Sequence, residues 1–372
     1  MSRPRVVLNM IVKDEAPIIR ECFDSVVSHI DAYCIVDTGS SDDTIEVIRS
    51  YFSEKGIPGI VHERPWVNFG HNRSEALEFA REMGEYAFVM DADDLVHGTP
   101  DFGSLDADSY VVQIRSGEIV YWRHQVFSSR LPWRYEGVVH EFATCGDPAA
   151  TSVRMKDDWY IESRRLGARN APADKYRRDA QLLLEYLEEH PDDSRSVFYL
   201  AQSYFDLGDL EAALPRYARR ANMGGWEEEI YYAKYRVGMC LIGLNRPRGE
   251  ILEAMLGAWE YRPSRAEPLY QLAKWHRERN MFRQAAMFAR TGLSIARPQG
   301  DILFVTDDVY QWRLKDEFAV SAYYIGDFGG SLQYCADLLR SRVVPAEHKG
   351  RIQRNLELAT NALSPGALDI GK

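Results

Sequence analysis

The sequence predicts two domains of different class: an α/β domain built on a mostly parallel, Rossmann-like doubly wound sheet, followed by an all-α domain of helical repeats. Three observations carry this expectation. Apolar, strand-like runs begin near Val6, Ala32, Gly59 and Tyr86, about 27 residues apart, the length of one βα unit. The fourth run, Tyr86 to Met90, stops at three carboxylates in four positions, Asp91, Asp93 and Asp94. From Asp179 onward the apolar residues take helical spacing and small residues recur at long, regular intervals. The expected boundaries are residues 1–165 for the α/β domain, 166–178 for a basic linker and 179–365 for the repeats.

In chain order, the first strand spans Val6 to Val12 and is followed by Lys13-Asp14-Glu15. Pro17 to His29 carries Ile18, Ile19, Cys22, Phe23, Val26 and Val27 at helical spacing, with the proline near the first turn. The second strand ends at Asp37 and runs into the small polar loop Thr38 to Asp42, after which Asp43 and Glu46 have the spacing of a capping box. In a parallel sheet, ligands bind beyond the carboxyl ends of the strands. Three polar clusters fall there: residues 13–15, 37–43 and 91–94. Carboxylates packed as closely as Asp91 to Asp94 repel one another, so a site that keeps them ionised supplies a cation. Oxygen ligands suit Mg²⁺ or Mn²⁺, which bridge to the phosphates of a nucleotide. Between Tyr110 and Tyr160 short runs (Tyr110–Ile114, Ile119–Trp122, Trp159–Ile161) predict mixed-direction strands that extend the sheet. Trp122, Trp133, Tyr135 and Trp159 suit either packing or stacking on an acceptor.

Composition narrows the class. The chain has 372 residues, 45% of them hydrophobic, and a formal net charge of -11, which argues for a folded protein and against a general nucleic-acid binder. No apolar run reaches membrane-spanning length. The five cysteines have no Cys-x-x-Cys spacing and favour a reducing, cytoplasmic setting.

Leu8-Asn9-Met10-Ile11-Val12-Lys13-Asp14-Glu15, Ile35-Val36-Asp37-Thr38-Gly39-Ser40-Ser41-Asp42 and Asp91-Ala92-Asp93-Asp94 resemble, in order and spacing, three successive signatures of family 2 glycosyltransferases of the GT-A fold. Trp66 to Ser74 is similar to the segment before the family's third helix, and Trp133 to Glu141 resembles a His-Glu segment of relatives with a helical-repeat tail. The resemblance implies a nucleotide-sugar donor, with a UDP-sugar favoured, a divalent metal (Mn²⁺ or Mg²⁺) and inversion at the anomeric carbon. It further implies that Val12, Glu15, Asp37, Asn72, Arg73, Asp91 and Ala92 line the nucleotide, with Asp37 at the base and Asp91 at the ribose, and that Asp93 holds the metal. Many relatives have a second Asp after Asp37, where this chain has Thr38. Inverting transfer requires a base for the acceptor. Glu141 is the first candidate, His140 is an alternative base or a further metal ligand, and Glu136 is the third. Strand alternation sets His140 and Glu141 on opposite faces unless the strand ends between them.

The repeat domain is read from Ala201, Gly238, Ala273 and Ala319, each followed seven residues later by a turn former: Gly208, Asn245, Asn280 and Gly326. The intervals are 37, 35 and 46 residues, near the 34-residue period of tetratricopeptide (TPR) helix pairs. Ala213, Ala285 and Ser331 supply the next small position, and Glu250 departs from it. Tyr231, Tyr232, Tyr235, Trp259, Trp275 and Trp312 suit either the repeat core or guidance of an extended acceptor, and the repeats equally suit a homodimer. The functional expectation is a metal-dependent glycosyltransferase acting on an acceptor hydroxyl or thiol of a peptide, protein, saccharide or glycolipid. The competing reading is a TPR scaffold with an inactive transferase domain. A nucleotidyltransferase is disfavoured, because the first strand lacks a Gly-rich, Lys-bearing phosphate loop.

Overall fold

A computed structural model of the chain describes residues 3–117, 119–139, 141–156, 158–164, 166, 172–301 and 303–364. The chain divides between Pro191 and Asp192 into two compact units.

The first unit opens with β1 (Val6–Val12), α1 (Ile19–Val26), β2 (Ala32–Asp37), α2 (Thr44–Lys55), β3 (Gly59–Glu63), α3 (Phe69–Arg81) and β4 (Tyr86–Val89). Each strand starts where an apolar run starts in the sequence. These four strands are parallel in the order β3-β2-β1-β4, and β1 is the switch point, flanked by β2 on one side and β4 on the other. Helices α1 and α2 pack their apolar stripes (Ile19, Phe23, Ile48, Phe52) on one face, with Leu8, Ile35 and Phe88. Helix α3 covers the other face through Leu77 and Ala80, against Val7, Cys34 and Val89. Alternate residues of β1 thus enter opposite cores, as the period of two requires. Fully burying each such aliphatic or aromatic side chain contributes about 1.5–3 kcal/mol. Asn9 is the polar exception: 2% exposed, it donates from Nδ2 to Cys34 O (3.2 Å) and Ala76 O (2.8 Å), and so ties β1 to β2 and α3.

Beyond β4 the sheet changes direction, as the short alternating runs predict. β5 (Asp94–His97), β6 (Ser109–Ser116), β7 (Ile119–Ser128), β10 (Ser152–Arg154) and β11 (Tyr160–Ser163) extend it, while β8 (Arg134–Glu136) and β9 (Phe142–Thr144) form a separate hairpin. β7 pairs antiparallel with β4, and β6 with β7. Trp159 lies in the core against Phe88 and Phe102, and Trp122 lies under the Arg154 guanidinium at 3.4 Å. Of the expected basic connector, residues 165 and 167–171 lie outside the described residues, and from Pro172 the chain is helical, in α4 (Pro172–Glu189).

One local expectation fails. Asp43 takes the N-cap position of α2 but its side chain makes no capping bond; Asp42 Oδ1 instead accepts the Thr44 N–H at 3.0 Å, so no capping box forms with Glu46. Asp42 is turned to this task because its Oδ2 also accepts the Ala16 N–H, which laces the loop after β2 to the loop after β1.

The second unit is α5 (Ser194–Asp206), α6 (Leu210–Arg220), α7 (Glu227–Gly243), α8 (Arg248–Tyr261), α9 (Glu267–Arg277), α10 (Phe282–Leu293), α11 (Leu314–Tyr324), α12 (Phe328–Arg340) and α13 (Ala346–Leu363). The four turn formers all adopt left-handed backbone: Gly208 (φ 78°), Asn245 (51°), Asn280 (57°) and Gly326 (87°). Each ends the first helix of a pair. Asp209 and Asp327 then cap the second, accepting from Ala212 N (3.0 Å) and Gly330 N (2.9 Å). Ala201, Ala273 and Ala319 are fully buried, and a Cβ on Gly238 would come within 2.8 Å of Met255 Sδ. The Glu250 departure has a simple cause. Asn245 stands three residues before the start of α8, whereas Gly208, Asn280 and Gly326 stand two before theirs, so with this longer turn Ile251, 1% exposed, takes the fourth helical position that Ala213, Ala285 and Ser331 take elsewhere. Tyr231, Tyr232, Tyr235 and Trp275 are buried in one core, against which Trp259 packs, and Trp312 is buried in a second with Leu338 and Ile352.

Candidate active site

The loops after β1, β2 and β4 meet at the carboxyl edge of the parallel strands. Asp14 (φ 54°) accepts from Ser41 N at 2.7 Å and Ser41 Oγ at 3.0 Å. The Glu15 N–H donates to Thr44 Oγ1 at 2.8 Å. Val12, at the end of β1, is buried beside Thr38, whose hydroxyl donates to Val12 O at 3.0 Å. Asp37, 2% exposed, accepts the Gly39 and Ser40 N–H groups at 2.9 Å and the Ser40 hydroxyl, so its carboxylate is aimed by its own loop.

At the end of β4, Asp91 is gripped by two guanidiniums: Arg73 Nη2 bonds to Oδ1, and Arg123 Nη2 stands 3.6 Å from Oδ2. Burial alone would raise the Asp91 carboxyl, but the two arginines outweigh it and hold it down at about 2. Asp94 is 1% exposed, and burial, then the neighbouring Asp91 and Asp93 charges, push its carboxyl up to about 7 against the pull of Arg123. Its Oδ1 is buried without a hydrogen-bond partner. Ala92, 5% exposed, packs into the core between them.

Arg73 reaches this position because Gly70, one turn earlier in α3, lets the helix press on the β8 hairpin. A Cβ at Gly70 would lie 2.3 Å from Gly137 O. Ser74 Oγ accepts the Tyr135 N–H at 2.8 Å in the same contact. The Arg73 guanidinium lies over the Tyr135 ring at 5.8 Å, and its Nε stands 2.8 Å from Glu141 Oε1 as an ion pair without hydrogen-bond alignment. One buried arginine thus joins Glu141 to Asp91, and both carboxylates raise its own affinity for a proton against burial.

The other candidates are placed differently. Asn72 is fully buried and engaged with its own loop, accepting Val67 N–H at 2.9 Å and donating to Pro65 O at 3.0 Å. Glu136 is exposed and paired with Arg134 at 2.7 Å. His140 lies outside the described residues. Glu141 stands in the loop before β9, so strand alternation does not govern its direction.

Two arginines of the site were not singled out for it from sequence. Arg123 arrives because β7 pairs antiparallel with β4, Phe88 opposite Val126; extending that register sets Arg123 opposite Asp91. Arg164, beyond β11, donates from Nε to Asp93 O at 2.9 Å and pairs with Glu21. Arg73 Nε, Arg123 Nε and Arg164 Nη2 are all buried without an aligned acceptor, which is the arrangement a multivalent anion would complete.

Among the described residues no group of three or more His, Cys, Asp or Glu is arranged to hold a metal by itself. A divalent cation that takes one or two carboxylates and completes its shell with substrate phosphates nevertheless fits here: the donors are all oxygen, and Asp94 Oδ1 is an orphaned buried acceptor beside them.

Residues 8–103 match the model of Glycosyl transferase family 2. The chain is 26% identical over 304 residues to a TPR repeat-containing protein of Synechococcus elongatus, covering 75% of this chain and 71% of that one. It is 22% identical over 263 residues to the SPbeta prophage-derived glycosyltransferase SunS of Bacillus subtilis, covering 65% of this chain but only 60% of SunS. Solved structures with partial likeness include S. aureus TarS (TM-score 0.40, 11% identity, 67% of this chain and 54% of TarS) and MamA (TM-score 0.34, 12% identity, 50% and 88%). No described helix is long and apolar enough to cross a membrane. Residues 8–103 therefore carry a family 2 glycosyltransferase domain, and the chain continues into helical repeats of the TPR kind.

Proposed function

We propose that the first unit transfers a sugar from a UDP-sugar to an acceptor hydroxyl or thiol, with inversion and with the help of a divalent metal. The observation that carries this reading is the Arg73 bridge, which places Glu141 on the same guanidinium as Asp91 at the switch point of the parallel sheet. Asp37 and Asp91 accept hydrogen bonds from the nucleoside. Asp93 would hold the cation, beside the orphaned Asp94 Oδ1, and the cation would supply positive charge against the donor diphosphate. Arg123 and Arg164 offer their free N–H groups to the same diphosphate as it departs. Glu141 takes the acceptor proton while the acceptor oxygen or sulfur bonds to the anomeric carbon and the carbon–diphosphate bond breaks. The cysteines, all buried and unpaired, suit a cytoplasmic setting.

A panel of nucleotide sugars, titrated with Mn²⁺ and then with EDTA, tests the reading. One donor is expected to bind and to be slowly hydrolysed only with metal, and Asp93→Ala is expected to abolish both. If no nucleotide sugar binds under either condition, the transferase reading fails and the scaffold reading replaces it.

A further inference from the structure

We propose that the segment between α10 and α11 is a built-in occupant of a peptide-docking face on the repeat domain, and that the face takes an extended peptide carrying adjacent aliphatic and aromatic residues. The interval that separates the third and fourth small positions, 46 residues against 37 and 35, contains this segment. Its course is that of a bound peptide. The Leu303 N–H donates to Glu228 Oε2 at 2.7 Å, at the start of α7. Arg265 donates to Leu303 O (3.2 Å) and Phe304 O (3.0 Å), and the Thr306 N–H donates to Glu267 Oε1 (3.1 Å) at the start of α9. The Phe304 ring lies 4.8 Å from Tyr232 of α7 and 6.5 Å from Phe198 of α5. Carboxylates for N–H groups, an arginine for carbonyls and rings for a side chain thus recognise one strand across the first helices of three successive pairs.

The hold is of a kind that can be exchanged. Arg265 and Glu267, each 1% exposed, are withdrawn from water in part by this segment, and burying an ion pair roughly balances its attraction against desolvation. Phe304 sits at φ 47°, a strained region for a residue with a side chain, and remains 46% exposed. Uncovered, Glu228, Arg265 and Glu267 would regain water while keeping their capacity to bind a backbone.

The test uses the full chain and a fluorescent peptide copying residues 299–308, read by anisotropy. Replacing residues 302–305 with Gly-Ser-Gly-Ser preserves the loop length and Asp301, whose carboxylate pairs with Arg262 at 2.6 Å and Arg265 at 3.2 Å, and is expected to raise peptide affinity at least tenfold over the unaltered protein. Phenylalanine-to-alanine substitution in the peptide should reverse most of that gain. A linker variant with unchanged helical circular dichroism and no gain overturns the proposal, and one that dimerises in light scattering without binding the peptide assigns the face to a second copy instead. Should that variant not fold, Phe304→Ala decides the matter, because it removes the ring while a Cβ, and with it the strain at φ 47°, remains. At least a threefold gain is expected, and unchanged binding overturns the proposal.

Discussion

Two clusters of arginine and carboxylate, one in each unit, differ in how completely their most buried arginine is satisfied. In the repeat unit Arg220 is fully buried, and each of its nitrogens has an acceptor: Nε and Nη2 on Glu229 Oε2 at 3.2 and 3.0 Å, Nη1 on Gly224 O at 2.9 Å. In the first unit Arg73, Arg123 and Arg164 each keep a buried nitrogen without an aligned acceptor, and Asp94 keeps an oxygen in the same state. Both clusters are charged and close-packed. An arginine with every nitrogen bonded fixes a fold, whereas arginines with unaligned N–H groups gathered at a strand-end crevice are arranged for something that arrives.

The comparison can be broken by substitution, and the largest effect belongs to Arg220. Arg220→Ala leaves the Gly224 carbonyl without its partner and Glu229 with Arg195 alone, at 3.2 Å, and should lower the stability of the repeat unit by about 3 kcal/mol in urea denaturation, the lower end for breaking a buried pair. A loss under about 1 kcal/mol would show that the network is not structural. Gly70→Ala comes next. Its Cβ must displace the Gly137 carbonyl, which is backbone and yields poorly, so a cost of about 1–3 kcal/mol is expected together with weakened donor binding, as Arg73 moves off Asp91. The smallest stability effect is expected for Arg123→Met, about 0–1 kcal/mol by thermal melting, because its partners stand 3.6 and 3.9 Å away and it is 40% exposed. Donor affinity should nevertheless fall about tenfold, equivalent to 1.4 kcal/mol. An Arg123 variant that is greatly destabilised but binds donor normally would place both clusters in the same structural class.

Much of the fold is legible from local pattern. The βα alternation follows from apolar runs at one spacing, and the repeat turns follow from Gly208, Asn245, Asn280 and Gly326, because left-handed backbone favours those two residue types. The placement of Asp37, Asp91 and Asp93 at the carboxyl edge of the sheet is legible because Asp37 ends β2 and the other two stand in the loop after β4. Arg123 is not, since its position depends on the antiparallel pairing of β7 with β4, a contact between residues far apart in sequence. Asp43 misleads for a related reason, and the side chain of Asn72 shows the same effect. Each is a polar side chain whose task is decided by neighbouring backbone, the Val67 N–H and Pro65 carbonyl for one and the bonds of adjacent Asp42 for the other.

The longer turn before α8 bears on whether the helix pairs are interchangeable. With Ile251 where the other pairs have a small residue, and Met255 lying across a position that has no side chain at all, the α7–α8 pair distributes its volume differently from its neighbours. A copy of α7 bearing the alanine of its siblings at 238 would strike Met255 within its own pair. The α7–α8 pair is therefore matched within itself: an alanine at 238 is accommodated only if the Met255 side chain swings aside, so its two helices are fitted to each other by side-chain volume.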